Sequence, residues 1–267
     1  MKVGSGISNP NTLSSQVQEQ QEQALKRLAT GLKINSAQDD AAGLQIANRL
    51  ASQSNGTQVA IRNANDAYSL ASVADSALSG INESTDRIGE LSLRAANASL
   101  SASDRQAIQQ EINQLQGQVS DIQSNTSFAG QQLFNQSTNS QFQIGADANS
   151  TVGLGLPDLS AQVTALNDID VTTQSGAQAA ITSSQQVSEQ VNSARGSIGA
   201  FQNRIESSIN NLSNQYEQSE AARSRIQDTD FAQATAANTQ SSIQSQINVA
   251  VQAQANVSRG QALNLLN

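Results

Sequence analysis

The side chains able to do chemistry are few. The sequence has no His and no Cys, so the usual general base, the thiol nucleophile and thiolate metal sites are all missing. Any catalysis would run on carboxylates, Lys, Tyr or Ser. The tightest acidic spacing is Asp39-Asp40. Two adjacent acids could serve a metal or an acid–base pair, but no third ligand and no Gly-rich calcium loop surrounds them. A turn or helix start fits better, with negative charge at the positive end of the following helix. The zinc-protease motif His-Glu-x-x-His is impossible here. The sequence therefore predicts a protein that is not an enzyme and carries no cofactor and no metal.

The remaining composition points to an interaction role. The chain has 267 residues, a net charge of −8, 37% apolar residues and 3% aromatic residues. Fourteen Lys and Arg spread thinly do not form the basic surface that nucleic acid requires. No apolar run is long enough for membrane insertion. The first ten residues carry Lys2 but no apolar segment after it, so a secretory signal peptide is not expected. So few aromatics imply a thin aliphatic core, as between helices packed side by side.

Periodicity supports helices over disorder. Val187, Val191, Ala194, Ile198, Phe201, Ile205, Ile209, Leu212 and Tyr216 step by threes and fours, close to a coiled-coil seam. Ile226, Ile243, Ile247, Val251 and Ala255 continue a weaker stripe, and the polar stretch from Arg223 to Phe231 predicts a joint. In the N-terminal half, Leu13, Val17, Leu25, Leu28 and Leu32 form a short stripe. Ala71, Ala74, Leu78, Ile81, Thr85, Ile88, Leu91 and Ala95 form a longer one after Gly43. A third, from Ile108 to Ile122, follows Ser103 as the expected N-cap. Only Pro10 and Pro157 interrupt, so nothing forces a break in long helices. Tyr68 and Tyr216, on or beside the stripes, are expected in the core.

Residues 127–176 differ, with Gly130, Gly145, Gly153, Gly155, Pro157 and Gly176. Gln131–Phe134 and Gln141–Ile144 are expected to pair as a hairpin around 135–140, and the rest of this middle reads as turns. The fold class is thus mostly α: a long-helix coiled-coil rod formed by both chain ends, with a small β-hairpin-containing middle. The Gln- and Ser-rich outer faces read first as solvated surface.

From Leu28 the sequence becomes specific. Leu28-Ala29-Thr30-Gly31-Leu32-Lys33-Ile34-Asn35-Ser36-Ala37-Gln38-Asp39-Asp40-Ala41-Ala42-Gly43 resembles the signature of the bacterial flagellin family. Asp86–Asn97, Phe128–Phe134, Phe142–Gly145, Gly199–Ile205, Ser224–Ala232 and Ala253–Asn256 are similar to further flagellin blocks, in the family's order. The resemblance implies a subunit that polymerises into the helical filament of the bacterial flagellum. It would be secreted by the flagellar type III apparatus and located extracellularly. It also implies an inner coiled-coil domain of residues 1–43 with 227–267. A rod domain of residues 44–226 would include the short loop-rich middle, 127–176, with no separate outer domains. Terminal segments of the family order on assembly.

The expected inner seam is Leu13, Val17, Leu25, Leu28, Leu32, Ile243, Ile247 and Val251. The expected rod seam is Leu78, Ile81, Ile88, Leu91, Ile198, Ile205, Ile209 and Leu212. With the resemblance, the Gln- and Ser-rich faces read instead as packing surface between copies. Implied partners are other copies of the chain, an export chaperone, the filament cap and the hook–filament junction proteins. Arg87, Leu91 and Glu111 stand where flagellins contact an animal Toll-like receptor. Ser137, Thr138 and Ser150 are candidate glycosylation sites. A hook–filament junction protein of the same axial system is the alternative reading.

Overall fold

The computed structural model describes the backbone of residues 10–266 and the side chains of residues 14–261 apart from 138 and 259. The elements are helices α1 (Pro10–Thr30), α2 (Ala41–Ala95) and α3 (Ala102–Asn125), then strands β1 (Ser127–Phe128), β2 (Gln131–Gln132), β3 (Thr138–Gln143) and β4 (Thr151–Leu156). Helices α4 (Ser160–Asn167), α5 (Gln174–Gln227) and α6 (Phe231–Leu266) follow. The mostly helical class and the joint before Phe231 agree with the sequence reading. The chain divides into two compact units, Asn55–Tyr216 and the segments up to Ser54 and from Glu217. These boundaries lie inside α2 and α5, later along α2 than the 43/44 limit and earlier along α5 than the 226/227 limit inferred from sequence.

In the Asn55–Tyr216 unit, α2 buries Thr57, Ala60, Ala64, Ala67, Ala71, Ala74, Leu78, Ile81, Thr85, Ile88, Ser92 and Ala95. That stripe keeps the heptad alternation of threes and fours, which turns one face steadily toward a partner helix. On α5, Ala177, Ala180, Ser184, Val187, Val191, Ile198, Phe201, Ile205 and Leu212 are buried. Polar contacts fix an antiparallel register. Arg195 Nε donates to Asp75 Oδ1 at 3.0 Å, Ser188 Oγ donates to Asn82 Oδ1 at 3.0 Å, and Gly89 lies beside Ser184. In this register the alanines at 60–74 stand opposite Ile198, Phe201 and Ile205. The larger Leu78, Ile81 and Ile88 stand opposite Val191, Val187 and Ser184. The α2 alanines thus meet the larger α5 side chains, and the larger α2 side chains meet Val191, Val187 and Ser184, so the two buried stripes are complementary in size.

α3 lays Ile108, Ile112 and Val119 on the same core. It starts at a reciprocal capping box: Asp104 N–H donates to Ser101 Oγ at 3.2 Å, and Ser101 N–H donates to Asp104 Oδ2 at 3.0 Å. The N-cap is therefore Ser101, not Ser103, because Asp104 sits three residues after Ser101 and closes the box. Arg105 ties down the preceding turn by donating to the carbonyl oxygens of Ala95, Leu100 and Asn97 at 2.9, 3.0 and 2.9 Å.

The middle also departs from the sequence reading. β3 pairs antiparallel with β4, from Thr138 opposite Leu156 to Gln143 opposite Thr151. β2 instead pairs with β1, across a two-residue turn in which Ala129 (φ 49°) and Gly130 (φ 82°) are both left-handed. Gln131–Phe134 therefore does not pair with Gln141–Ile144. β4, read from sequence as turns, is a strand that buries Val152, Leu154 and Leu156 and turns Gly153 and Gly155 away. This segment carries its own core of Phe134, Leu159, Val163, Leu166, Ile169 and Val171, joined to the helical seam. Two glutamines of α3 hold it. Gln109 accepts from Val171 N–H at 2.7 Å and donates to Ile169 O at 3.1 Å, and the buried Gln116 donates to Leu166 O at 2.7 Å. Tyr68 is exposed and Tyr216 half-buried, so Tyr68 is not a core residue. Its neighbours Ala67 and Ala71 take the seam positions.

In the other unit α1 packs with α6. The described buried side chains here are mostly small, Val17, Ala24, Ala47, Ala234 and Ser241 among them, with Ile34 the larger exception. The links α1–α2 and α5–α6 meet in a short antiparallel bridge of Leu32 with Asp228.

Candidate functional site

The acidic pair is a helix start. Asp39 Oδ2 accepts from Asn35 N–H at 3.0 Å, Ser36 N–H at 2.9 Å and Ser36 Oγ–H at 3.0 Å. These hydrogen bonds, led by that from Asn35, hold the Asp39 carboxyl below its ordinary value. Asp40 Oδ1 accepts from Gly43 N–H at 2.9 Å, the N-terminal capping pattern of α2. Gly43 gives this cap room: a Cβ there would stand 2.4 Å from Asp40 Oδ2 and 2.7 Å from Ile34 Cδ1, so either side chain would have to shift. Asp39 Oδ2 and Asp40 Oδ1 are thus engaged with the chain itself, and among the described residues no cluster of three or more acidic groups is placed to hold a metal. No described helix is long and apolar enough to cross a membrane.

The expected seam residues separate into two sets. Leu78, Ile81, Ile88, Leu91, Ile198, Ile205 and Leu212 are buried within the chain, and Ile209 is half-buried. Among the inner residues Val17 is buried, whereas Leu28 and Leu32 are half-buried. Leu25, Ile243, Ile247 and Val251 are exposed by 48%, 52%, 53% and 60%. The Leu13 side chain lies outside the described residues. Sequence reasoning missed Val249 and Phe231, which are also exposed. Apolar residues at 243, 247, 249 and 251 are more than one helix face needs to meet a single partner, and that was their signal.

On the other unit, Arg87 Nη2 and Nε reach Glu111 Oε1 at 2.8 and 3.2 Å, and Nη1 reaches Glu90 Oε2 at 3.0 Å. The paired carboxylates, Glu111 foremost, raise the guanidinium's already high pKa. Arg87 and Glu111 are exposed, but Leu91 is a core residue at 1% exposure. Its side chain is thus unavailable on the surface of the folded chain. Ser137 is exposed and Ser150 half-buried. The Thr138 side chain lies outside the described residues.

The described residues offer exposed apolar helix faces. Comparisons with known proteins give the family. Residues 7–139 match the model of the bacterial flagellin N-terminal helical region, and residues 181–266 match that of the C-terminal helical region. Flagellin B of Vibrio anguillarum is 33% identical, with 92% of this chain and 93% of that protein covered. A flagellin of Halalkalibacterium halodurans is 36% identical, with 92% of each covered. Among solved structures, the Bacillus cereus flagellin crystal structure superposes with TM-score 0.53 at 26% identity, over 57% of this chain and 88% of that one. A putative flagellar hook-associated protein from Vibrio parahaemolyticus superposes with TM-score 0.61 over 71% of this chain, but at 14% identity that likeness shows the fold alone.

Proposed function

The chain belongs to the bacterial flagellin family, and from that premise we propose that neighbouring copies cover the α1 and α6 faces which a single chain leaves open. The protein is a structural, non-enzymatic subunit of the extracellular flagellar filament, and self-assembly is what the family does. The observation that carries the proposal is the exposure of Leu25, Ile243, Ile247, Val249 and Val251 in one chain. Exposed apolar residues repeated along a helix, as at 243, 247 and 251, mark interaction surfaces. Burying a Val, Leu or Ile side chain is favourable by about 1.5–3 kcal/mol. A second copy that covers several of them offsets the entropy of ordering the helices.

Deleting residues 1–32 tests this. The truncated chain is expected to stay helical and monomeric and to form no filaments when seeded, as judged by electron microscopy. Normal filaments from it would overturn the proposal.

The export chaperone, filament cap and hook–filament junction proteins follow from family membership as further proposed partners. A Toll-like receptor contact remains a proposal for the exposed Arg87–Glu111 pair, without Leu91. The flagellin relatives along nearly the whole chain support the filament subunit over the junction protein.

A further inference from the structure

Gly56 stands in the interior of α2, where Gly is less favourable than Ala. The tip of the β3–β4 hairpin accounts for it. A Cβ at Gly56 would stand 3.0 Å from Ala146 Cβ and 3.6 Å from Ala146 Cα, so the missing side chain leaves a seat for the tip. Asn63 Nδ2, two turns further along α2, donates to Gln143 O at 3.0 Å. The Phe142 ring packs 6.1 Å from the Phe201 ring. The tip closes on itself: Ile144 N–H donates to Ser150 O at 2.9 Å, and Gln143 Nε2 donates to Gly145 O at 2.8 Å and Asp147 O at 2.6 Å.

This seat puts Gly directly after Asn55, the only Asn-Gly pair in the sequence. Asn55 is exposed and Gly56 half-buried. With no Cβ beside it, a glycine nitrogen can come close to the preceding side chain. Inside α2 that approach is blocked twice. The Gly56 N–H is given to the carbonyl four residues back, and the helical ψ of about −42° holds the nitrogen away from the Asn55 Cγ.

We propose that Asn55 is a latent deamidation site, gated by local opening of α2 beneath the hairpin tip. When the helix opens there, the Gly56 nitrogen bonds to Asn55 Cγ and gives up its proton. The Cγ–Nδ2 bond breaks, and Nδ2 leaves with a proton as ammonia. The five-membered succinimide then takes up one water at either carbonyl. That breaks the ring C–N bond and yields aspartate or isoaspartate. Both products add a negative charge to an exposed position, and isoaspartate adds a backbone carbon that the hydrogen-bond spacing of α2 does not accommodate. Lifting Ala146 from its seat removes a packing partner of this turn, so the turn opens more often. The chemistry belongs to the single chain and does not rest on the filament reading.

The test incubates the full chain at mildly alkaline pH, folded and in urea. Conversion at Asn55 is followed by the mass of the peptide that contains it and by isoaspartate labelling. Conversion in urea is expected to outpace that in the folded chain at least about tenfold. Asn63→Ala, which removes the hydrogen bond to Gln143 O, is expected to speed conversion in the folded chain roughly fivefold. Ala146→Val crowds the seat from the hairpin side and should act in the same direction. Unchanged exchange protection from Leu78 to Ile88 reports that each variant is folded. Equal rates in the folded and unfolded chain, no conversion in urea, or either variant converting at the parent rate overturns the proposal.

Discussion

Residues 55–216 bury Leu78, Ile81, Ile88, Leu91, Ile112, Ile198 and Ile205 at 2% exposure or less. The unit built from the chain's two ends buries mainly Val17, Ala24, Ile34, Ala47 and Ala234, and leaves Leu25, Ile243, Ile247, Val249 and Val251 in the open. Both use the same kind of amphipathic helix. One buries a full set of large side chains within the chain, with Val59, Tyr68, Val73 and Leu93 left exposed outside it, and the other buries mainly small ones and leaves most of its large side chains open. A core of large side chains meeting small ones is complete in a monomer. A seam of alanine and serine with leftover Ile and Val is a surface awaiting a partner.

The largest expected effect breaks the self-sufficient unit. Ile205→Ala removes a fully buried side chain opposite the α2 alanines, which have nothing with which to fill the cavity. It is expected to cost about 2–5 kcal/mol, read from denaturant unfolding. A loss under about 1 kcal/mol would show that the seam is less tightly packed than described.

The next effect falls in the other unit. Gly→Ala within a helix ordinarily stabilises by about 0.4–1 kcal/mol. At Gly43 the sign is expected to reverse, because the new Cβ would displace the capping Asp40 carboxylate and meet the buried Ile34. A loss of about 1–3 kcal/mol in local opening free energy is expected, read from hydrogen exchange at the start of α2. Stabilisation there would refute the capping role.

A pH test follows from Asp39. Its folded pKa lies below the ordinary 3.8, so its contribution is fully present above that value and fades as pH falls through the lowered one. The α1–α2 link is expected to loosen below about pH 4. Asp39→Asn should be looser at neutral pH and less sensitive to acid, as read by exchange at Asn35 and Ser36.

The smallest effect on the single chain sharpens the contrast most. Ile247→Ala changes an exposed position and is expected to alter monomer stability by no more than about 0.5 kcal/mol. It should nevertheless raise the concentration needed for filament growth. Monomer destabilisation as large as that of Ile205→Ala would mean that Ile247 is already buried within the chain.

Much of this was legible in the sequence. The stripe from Ala71 to Ala95 and that from Val187 to Leu212 specified long helices, because a heptad pattern can bury one continuous face only as a helix. The blocks from Leu28 to Gly43 and from Ser224 to Ala232 carried the family. Asp39-Asp40 declared a helix start, because nothing nearby could complete a metal site. The stretch Thr151–Leu156 could have been read as a strand from its alternation, but its glycines read as turns when taken alone.

Tertiary structure decided the rest. Local pattern could not say that β3 pairs with β4, since the glycines of Thr151–Leu156 hid a strand whose alternate residues are selected by burial. It could not separate Leu91, which the core takes, from Leu25 and Ile247, which the core leaves. Periodicity marks an apolar face without saying whether the same chain covers it. Nor could it bring Leu32 against Asp228, because a bridge between the two ends of a chain exists only when the helices on either side are already in place.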